Sequence, residues 1–147
     1  MDNLLISACL LGISCRYDGE SREYDLKGLE KKFNLIPVCP EIYGGLPTPR
    51  VPSEIAGDMV LNREGKNVTA QYNKGARETL RMAKLFDAKY ALLKAKSPSC
   101  GKDRVYDGSF TGTLVRGEGI TTKLLKENGV EIFTEDEIDL LLEKQAK

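Results

Sequence analysis

The chain has 147 residues, a normal size for one domain and enough to bury a hydrophobic core without covalent staples. Lysine plus arginine and aspartate plus glutamate each total 22, so the formal net charge is zero and no surface-wide basic field is available to hold nucleic acid. There is no histidine, which excludes a Cys-His nucleophile, a Ser-His-Asp triad and any zinc site with an imidazole ligand.

Leu4 to Cys9 is a short apolar run that stops at Gly12, the pattern of a buried strand. The opening residues lack a basic leader, and no stretch approaches the roughly 20 apolar residues that span a bilayer. The expectation is a cytoplasmic protein with no membrane partner. In such reducing surroundings the four cysteines would not form structural disulfides. Leu26 to Phe33 places Leu26, Leu29 and Phe33 at helical spacing, which predicts a short helix. Leu35 to Cys39 reads as a second strand, and Pro37 requires it to lie at an edge or end there. Four prolines and two glycines between Pro40 and Pro52 make a stiff loop.

Met59 to Leu61, followed by Glu64-Gly65-Lys66 and Val68, predicts a small hairpin. The spacing of Ala76, Leu80 and Ala83 predicts a helix from about Thr69 to Ala88. Tyr90 to Lys94 is a third strand, followed by the loop Lys96 to Gly101. Residues 101–119, rich in Gly, Asp and Thr, read as an extended surface loop. Its hydroxyls and glycines precede a helix at Ile120 and could cradle an anion, although no phosphate-binding fingerprint is present. That helix runs to Asn128, with Gly129 as its stop. Val130 to Phe133 is a fourth strand, and Thr134 with Glu137 forms a capping-box pattern that opens a last helix.

Strands alternating with helices predict an α/β fold: a single Rossmann-like domain over residues 1–147, with a mostly parallel four-stranded sheet flanked by helices and a small β-hairpin insertion. Cys9, Cys39 and Cys100 each fall at or just beyond the carboxyl end of a predicted strand, where open parallel sheets place their ligand sites. Cys15 lies in the loop after the first strand and can join them. A single cysteine is more often a small core residue than a ligand. Cys15 and Cys100, however, sit in polar loops beside Arg16 and Lys102, whose charge favours thiolate. The absence of any C-x-x-C pair argues against a zinc ribbon or a thioredoxin-type centre. Iron–sulfur spacings vary between families, so spacing alone does not separate a cluster from a chance set of cysteines.

Three segments occur together and in a characteristic order: Ser7-Ala8-Cys9-Leu10-Leu11-Gly12 with Cys15-Arg16-Tyr17-Asp18-Gly19; Val38-Cys39-Pro40-Glu41 with residues 44–50; and Lys96-Ser97-Pro98-Ser99-Cys100-Gly101. In combination the sequence resembles the family of small stand-alone domains that includes the thiouracil desulfidases. The resemblance implies that Cys9, Cys15 and Cys100 are the ligands of a 4Fe-4S cluster whose fourth iron has no protein ligand. It implies that Glu41 and Ser97 are the catalytic acid/base residues. The substrate would be a thiouracil or a thiouridine nucleotide, desulfurated hydrolytically and without redox change, with its sulfur on the open iron. Nucleic acid would enter only as a thiolated tRNA substrate, and iron–sulfur assembly machinery would be a partner.

Taken alone, Glu41 reads as a capping or salt-bridged carboxylate and Ser97 as a turn-former before Pro98. The resemblance reverses both readings, and with no histidine a carboxylate is the natural proton carrier. Arg50, Lys102 and Ser99 are candidate contacts for the substrate or its phosphate, with Glu54 and Asp58 as ordinary local partners for Arg50. Cys39 is expected in the core or just behind the ligands. Alternatives are an accessory domain that carries a cluster or binds thiolated RNA without catalysis, a metal-free thiol enzyme using Cys100 or Cys15, and a four-cysteine zinc site.

Overall fold

Successive side chains of a strand face opposite ways, so a strand that is apolar throughout must be covered on both faces. The computed structural model, which describes residues 1–144, shows this arrangement. In chain order the elements are β1 (Asp2–Ser7), β2 (Phe33–Val38), the one-turn helix α1 (Pro40–Tyr43), β3 (Ser53–Ala56), β4 (Met59–Asn62) and α2 (Thr69–Leu85). There follow β5 (Tyr90–Leu93), β6 (Arg104–Tyr106), β7 (Leu114–Arg116), α3 (Ile120–Glu127), β8 (Glu131–Thr134) and α4 (Ile138–Lys144). Short 3-10 turns lie at Ala8–Leu11, Leu29–Lys31 and Glu135–Glu137. Among the described residues no helix is long and apolar enough to cross a membrane.

The main sheet has the order β2-β1-β5-β8, and every pairing in it is parallel. On one face Leu5, Ala91, Leu93 and Ile132 pack with Ala83 of α2 and Leu125 of α3. On the other, Leu4, Ile6, Leu92 and Phe133 pack with Leu10, Leu29, Ile138 and Leu141. The mixed α/β architecture and four-stranded parallel sheet agree with the sequence reading. Pro37 lies on β2, an edge strand, where its missing N–H removes no hydrogen bond from the interior of the sheet. The Thr134–Glu137 capping box is formed, with Thr134 N donating to Glu137 Oε1 at 3.2 Å.

Three local readings change. The helix expected over Leu26–Phe33 shrinks to a 3-10 turn because Lys27 (φ 54°) and Gly28 (φ 80°) take the left-handed conformation, and Phe33 already opens β2. Strand β4 pairs antiparallel with the upstream β3, leaving only an isolated bridge from Leu61 to Asn67 on the downstream side. Residues 101–119 contain a second hairpin, β6 with β7. Its strands have only three residues each, too short for alternation to show in the sequence.

Helix α1 rests directly on α2, backbone against backbone. A Cβ on Gly75 would meet Pro40 O at 1.9 Å, and one on Gly44 would meet Gln71 O at 2.0 Å. In a helix interior glycine normally costs about 1 kcal/mol relative to alanine. At Gly75 the sign reverses. Gly75→Ala is expected to destabilise the protein by about 1–3 kcal/mol, as overpacking does. Urea denaturation of the two proteins measures the difference.

Candidate active site

The chain leaves β1 towards β2 on one side, and β5 lies on the other, so the strand order reverses between β1 and β5. Open α/β sheets bind ligands in the crevice outside the carboxyl ends at such a point. Here the crevice is a cleft of about 580 Å3, and all four cysteines line it. Glu41, Arg50 and Ser97 line it as well, while Arg63, Tyr106 and Phe110 come from the two hairpins. Glu54 joins those hairpins, accepting from Gly108 N at 3.0 Å and Phe110 N at 3.1 Å.

Each cysteine is set by local backbone. Cys9 lies in the 3-10 turn after β1, whose end is closed by Gly12 at φ 84°, a conformation that suits glycine. Cys15 N donates to Ile13 O at 2.8 Å, which turns the thiol inward, and the residue is buried. Cys39 is the N-cap of α1. Cys100 follows a tight turn in which its own N–H donates to Ser97 Oγ at 2.8 Å and Gly101 N donates to Ser97 O at 2.9 Å. Ser7 ties the centre of the sheet to this loop. Its hydroxyl accepts from Lys94 N at 2.9 Å and donates towards Cys100 Sγ at 3.7 Å.

Glu41 sits in the first turn of α1, and both of its oxygens are engaged. Arg50 Nη2 donates to Oε2, and Ser99 Oγ donates to Oε1. Arg50 Nη2 also donates to Cys15 O at 3.1 Å, and its Nη1 donates to Pro47 O and Thr48 Oγ1, each at 3.2 Å. Behind the cleft wall Ser99 Oγ lies 3.4 Å from Cys100 Sγ and 3.3 Å from Ser97 Oγ.

The thiols of Cys15, Cys39 and Cys100 are raised above the usual thiol range. Burial, reinforced by the Glu41 charge, pushes the Cys100 thiol up to about 12, against the hydrogen bonds from Ser99 and Ser7. Cys39 is raised first by its hydrogen bond to Cys15 and then by burial. The same contact, the largest influence on Cys15, lowers that thiol, but Cys9 and burial outweigh it and the net shift is upward. The basic neighbours that favoured thiolate in the sequence are occupied elsewhere: Arg16 pairs with Asp18 at 3.4 Å and Lys102 with Glu137 at 2.9 Å.

The structure therefore brings Cys9, Cys15, Cys100, Glu41, Ser97 and Arg50 to one cleft, together with Cys39. Ser99 is fully buried behind that wall. Lys102 is directed away, towards Glu137 and the Phe133 ring. Arg50 has Glu41 as its carboxylate partner, whereas Glu54 serves the hairpins. Ser7 was missed, although a lone hydroxyl ending a buried apolar run is a readable signal. Arg16 also lines the cleft, and its Nη1 is buried with no hydrogen-bond partner among the described residues. Among the described residues no three His, Cys, Asp or Glu side chains converge closely enough for one metal ion. In a cluster each thiolate binds a different iron, so the ligands stand further apart.

Two outcomes follow from this geometry. Arg50→Ala leaves a largely buried carboxylate without its cation, and a loss of about 3 kcal/mol in urea denaturation is expected. Arg50→Lys recovers little of it, since an ammonium lacks the planar fork that reaches these acceptors. The second concerns pH. Folded Cys100 keeps its proton to about 12 whereas the unfolded thiol releases it near 9.0, so its stabilising contribution is complete below 9.0 and disappears as pH rises through about 12. The metal-free wild type should accordingly lose more stability between about pH 9 and pH 11 than Cys100→Ala does.

The sequence matches the 2-thiouracil desulfurase family over residues 4–137. It is 39% identical over 150 residues to the protein YbbK of Bacillus subtilis (strain 168), covering 95% of this chain and 99% of that one. Among solved structures it is similar to the 4Fe-4S-dependent thiouracil desulfidase TudS, with a TM-score of 0.91 and 41% identity over 97% of this chain and 99% of that chain.

Proposed function

The chain belongs to the 2-thiouracil desulfurase family, and from that premise we propose that it removes sulfur hydrolytically from a thiouracil or a thiouridine nucleotide, with a 4Fe-4S cluster held by Cys9, Cys15 and Cys100. One observation carries the proposal: thiols from three separate loops meet a carboxylate and a hydroxyl in one cleft at the strand-order reversal. The donor set fits the group. Iron–sulfur clusters are held by cysteine thiolates, and no imidazole is present to compete. Ser7 and Ser99 place hydroxyls against the Cys100 sulfur, as hydrogen-bonded cluster ligands require.

When bound, a cluster with three thiolate ligands supplies an open iron, a Lewis acid soft enough to prefer the substrate's sulfur over oxygen. The rest is the work of the chain's own groups. Net hydrolysis exchanges C=S and water for C=O and hydrogen sulfide, with no change in oxidation state and no redox partner. Glu41, held by Arg50 and Ser99, takes the proton that water releases as it adds to the ring carbon and returns it to the departing sulfur. Ser97, half-buried in the cleft wall, faces the reacting water or the ring. Cys39, the N-cap of α1, lies outside the proposed ligand set, which would leave one iron without a protein ligand.

An anaerobic comparison tests the proposal. Wild type reconstituted with iron and sulfide should show charge-transfer absorption in the visible and release sulfide from at least one of 2-thiouracil, 4-thiouracil and 4-thiouridine monophosphate. Cys100→Ala should fail to hold the chromophore. Glu41→Ala should hold it and lose at least about 100-fold in rate, the usual contribution of a positioned acid/base. A wild type that binds no cluster would refute the cofactor, and one that binds it but releases no sulfide would refute the substrate.

A further inference from the structure

Resting on that assignment of Glu41 and Ser97, we propose that Ser99 is a proton-relay residue that joins them, so that the proton leaving the cleft at Ser97 reaches Glu41 through a second, fully buried hydroxyl. Ser99 itself is 0% exposed and does not line the cleft. It can touch neither substrate nor bulk water, and its contribution must pass through its neighbours.

The hydrogen-bond accounting favours one direction for this chain. A serine hydroxyl has one proton to give and two lone pairs to receive with. Ser99 gives its proton to Glu41 Oε1, since an ionised carboxylate is a stronger acceptor than a thiol or a hydroxyl. The longer approach to Cys100 Sγ, 3.4 Å, is the weaker arm of the same donated proton, and a lone pair of Ser99 faces Ser97 Oγ at 3.3 Å. Ser97 receives the Cys100 N–H at 2.8 Å on one lone pair, so its own proton is directed to Ser99 and its second lone pair is left for a group in the cleft. The order is therefore cleft, Ser97, Ser99, Glu41.

A proton entering at Ser97 displaces the Ser97 proton to Ser99 and the Ser99 proton to Glu41. Each hydroxyl gains one O–H bond as it loses another, and both finish unchanged. The water that gave the proton becomes the hydroxide that adds to the ring carbon. The reverse shift returns the proton to the departing sulfur, so the carboxylate is regenerated in each cycle.

The surroundings hold the relay rigid. Ser99 O accepts from Thr121 N at 2.9 Å and Thr122 N at 3.2 Å, which pins the residue to the first turn of α3. A Cβ on Gly119 would lie 2.5 Å from Ser99 O, so the two backbones are in direct contact. At the far end Arg50 fixes the second oxygen of Glu41.

The test uses the cluster-loaded protein in single-turnover sulfide release, with wild type, Ser99→Ala, Glu41→Gln and the double variant measured together. Ser99→Ala is expected to keep the wild-type visible absorption and substrate affinity and to fall about 100-fold in rate. It should slow Glu41→Gln no further, because a relay without its terminus has nothing left to lose. The wild-type rate should curve with the deuterium fraction of the solvent, since more than one proton moves together. In the metal-free protein, the carboxylate infrared band assigned to Glu41 should shift on Ser99→Ala. A wild-type rate in Ser99→Ala, a lost cluster in that variant, a linear deuterium dependence or an unmoved carboxylate band would overturn the relay. Slow Glu41→Gln beside fast Ser99→Ala would overturn it while leaving the acid/base assignment intact, whereas fast Glu41→Gln would overturn both.

Discussion

A guanidinium shut away from water must find protein acceptors for its N–H groups, because each idle donor keeps the full cost of its lost hydration. The Arg50 side chain is only 6% exposed, and it meets this demand with acceptors from separate stretches of chain: a carbonyl of the Cys15 loop, two groups of the Pro47–Thr48 loop and the Glu41 carboxylate. No regular element joins these stretches. Their relative positions are set by one planar fork whose bond directions cannot vary independently. Glu41 carries the constraint onward through Ser99 to the loop that holds Ser97 and Cys100. Hydrogen bonds in such a series polarise one another, which stiffens the whole set.

The parallel sheet was legible because its physics is local. Leu4, Leu5 and Ile6 can be buried together only in a strand covered on both sides, and Pro37 marks the edge by itself. The rim of cysteines was legible for the same reason, since strand ends in a parallel sheet gather on one side. What escaped was pairing between distant, unpatterned residues. Nothing near Arg50 in the sequence indicates Glu41 rather than Glu54, and the choice is made by where α1 comes to rest. The failed helix at Leu26–Phe33 is a case of spacing without permission. Its apolar residues keep their places in the core, but Lys27 and Gly28 turn the backbone out of the helical region.

The protonation state of the thiols shows how far a neighbour in sequence can be from a neighbour in space. Arg16 and Lys102 adjoin Cys15 and Cys100 along the chain, yet each is matched with its own carboxylate, Asp18 and Glu137. Burial dominates at Cys100, while at Cys15 the hydrogen bond to Cys9 together with burial outweighs the one from Cys39, and both thiols hold their protons more tightly than free cysteine does. On the proposed ligand assignment, cluster binding must expel those protons, so loading is coupled to pH. Protonated thiols of this kind resist adventitious oxidation, because the thiolate is the reactive form.

The glycine contact between α1 and α2 has a consequence for the carboxylate that α1 carries. Two helices separated by side chains can slide a little, because rotamers absorb the movement. Here nothing lies between Gly75 and Pro40 that could absorb it. Any bending or axial shift of the long helix α2 is delivered to the one-turn helix, and so to Glu41, without a cushion. The Glu41 carboxylate inherits the stiffness of a helix that never enters the cleft except through Tyr72. Changes made on the far, solvent side of α2 would thus be felt as a change in aim rather than in shape.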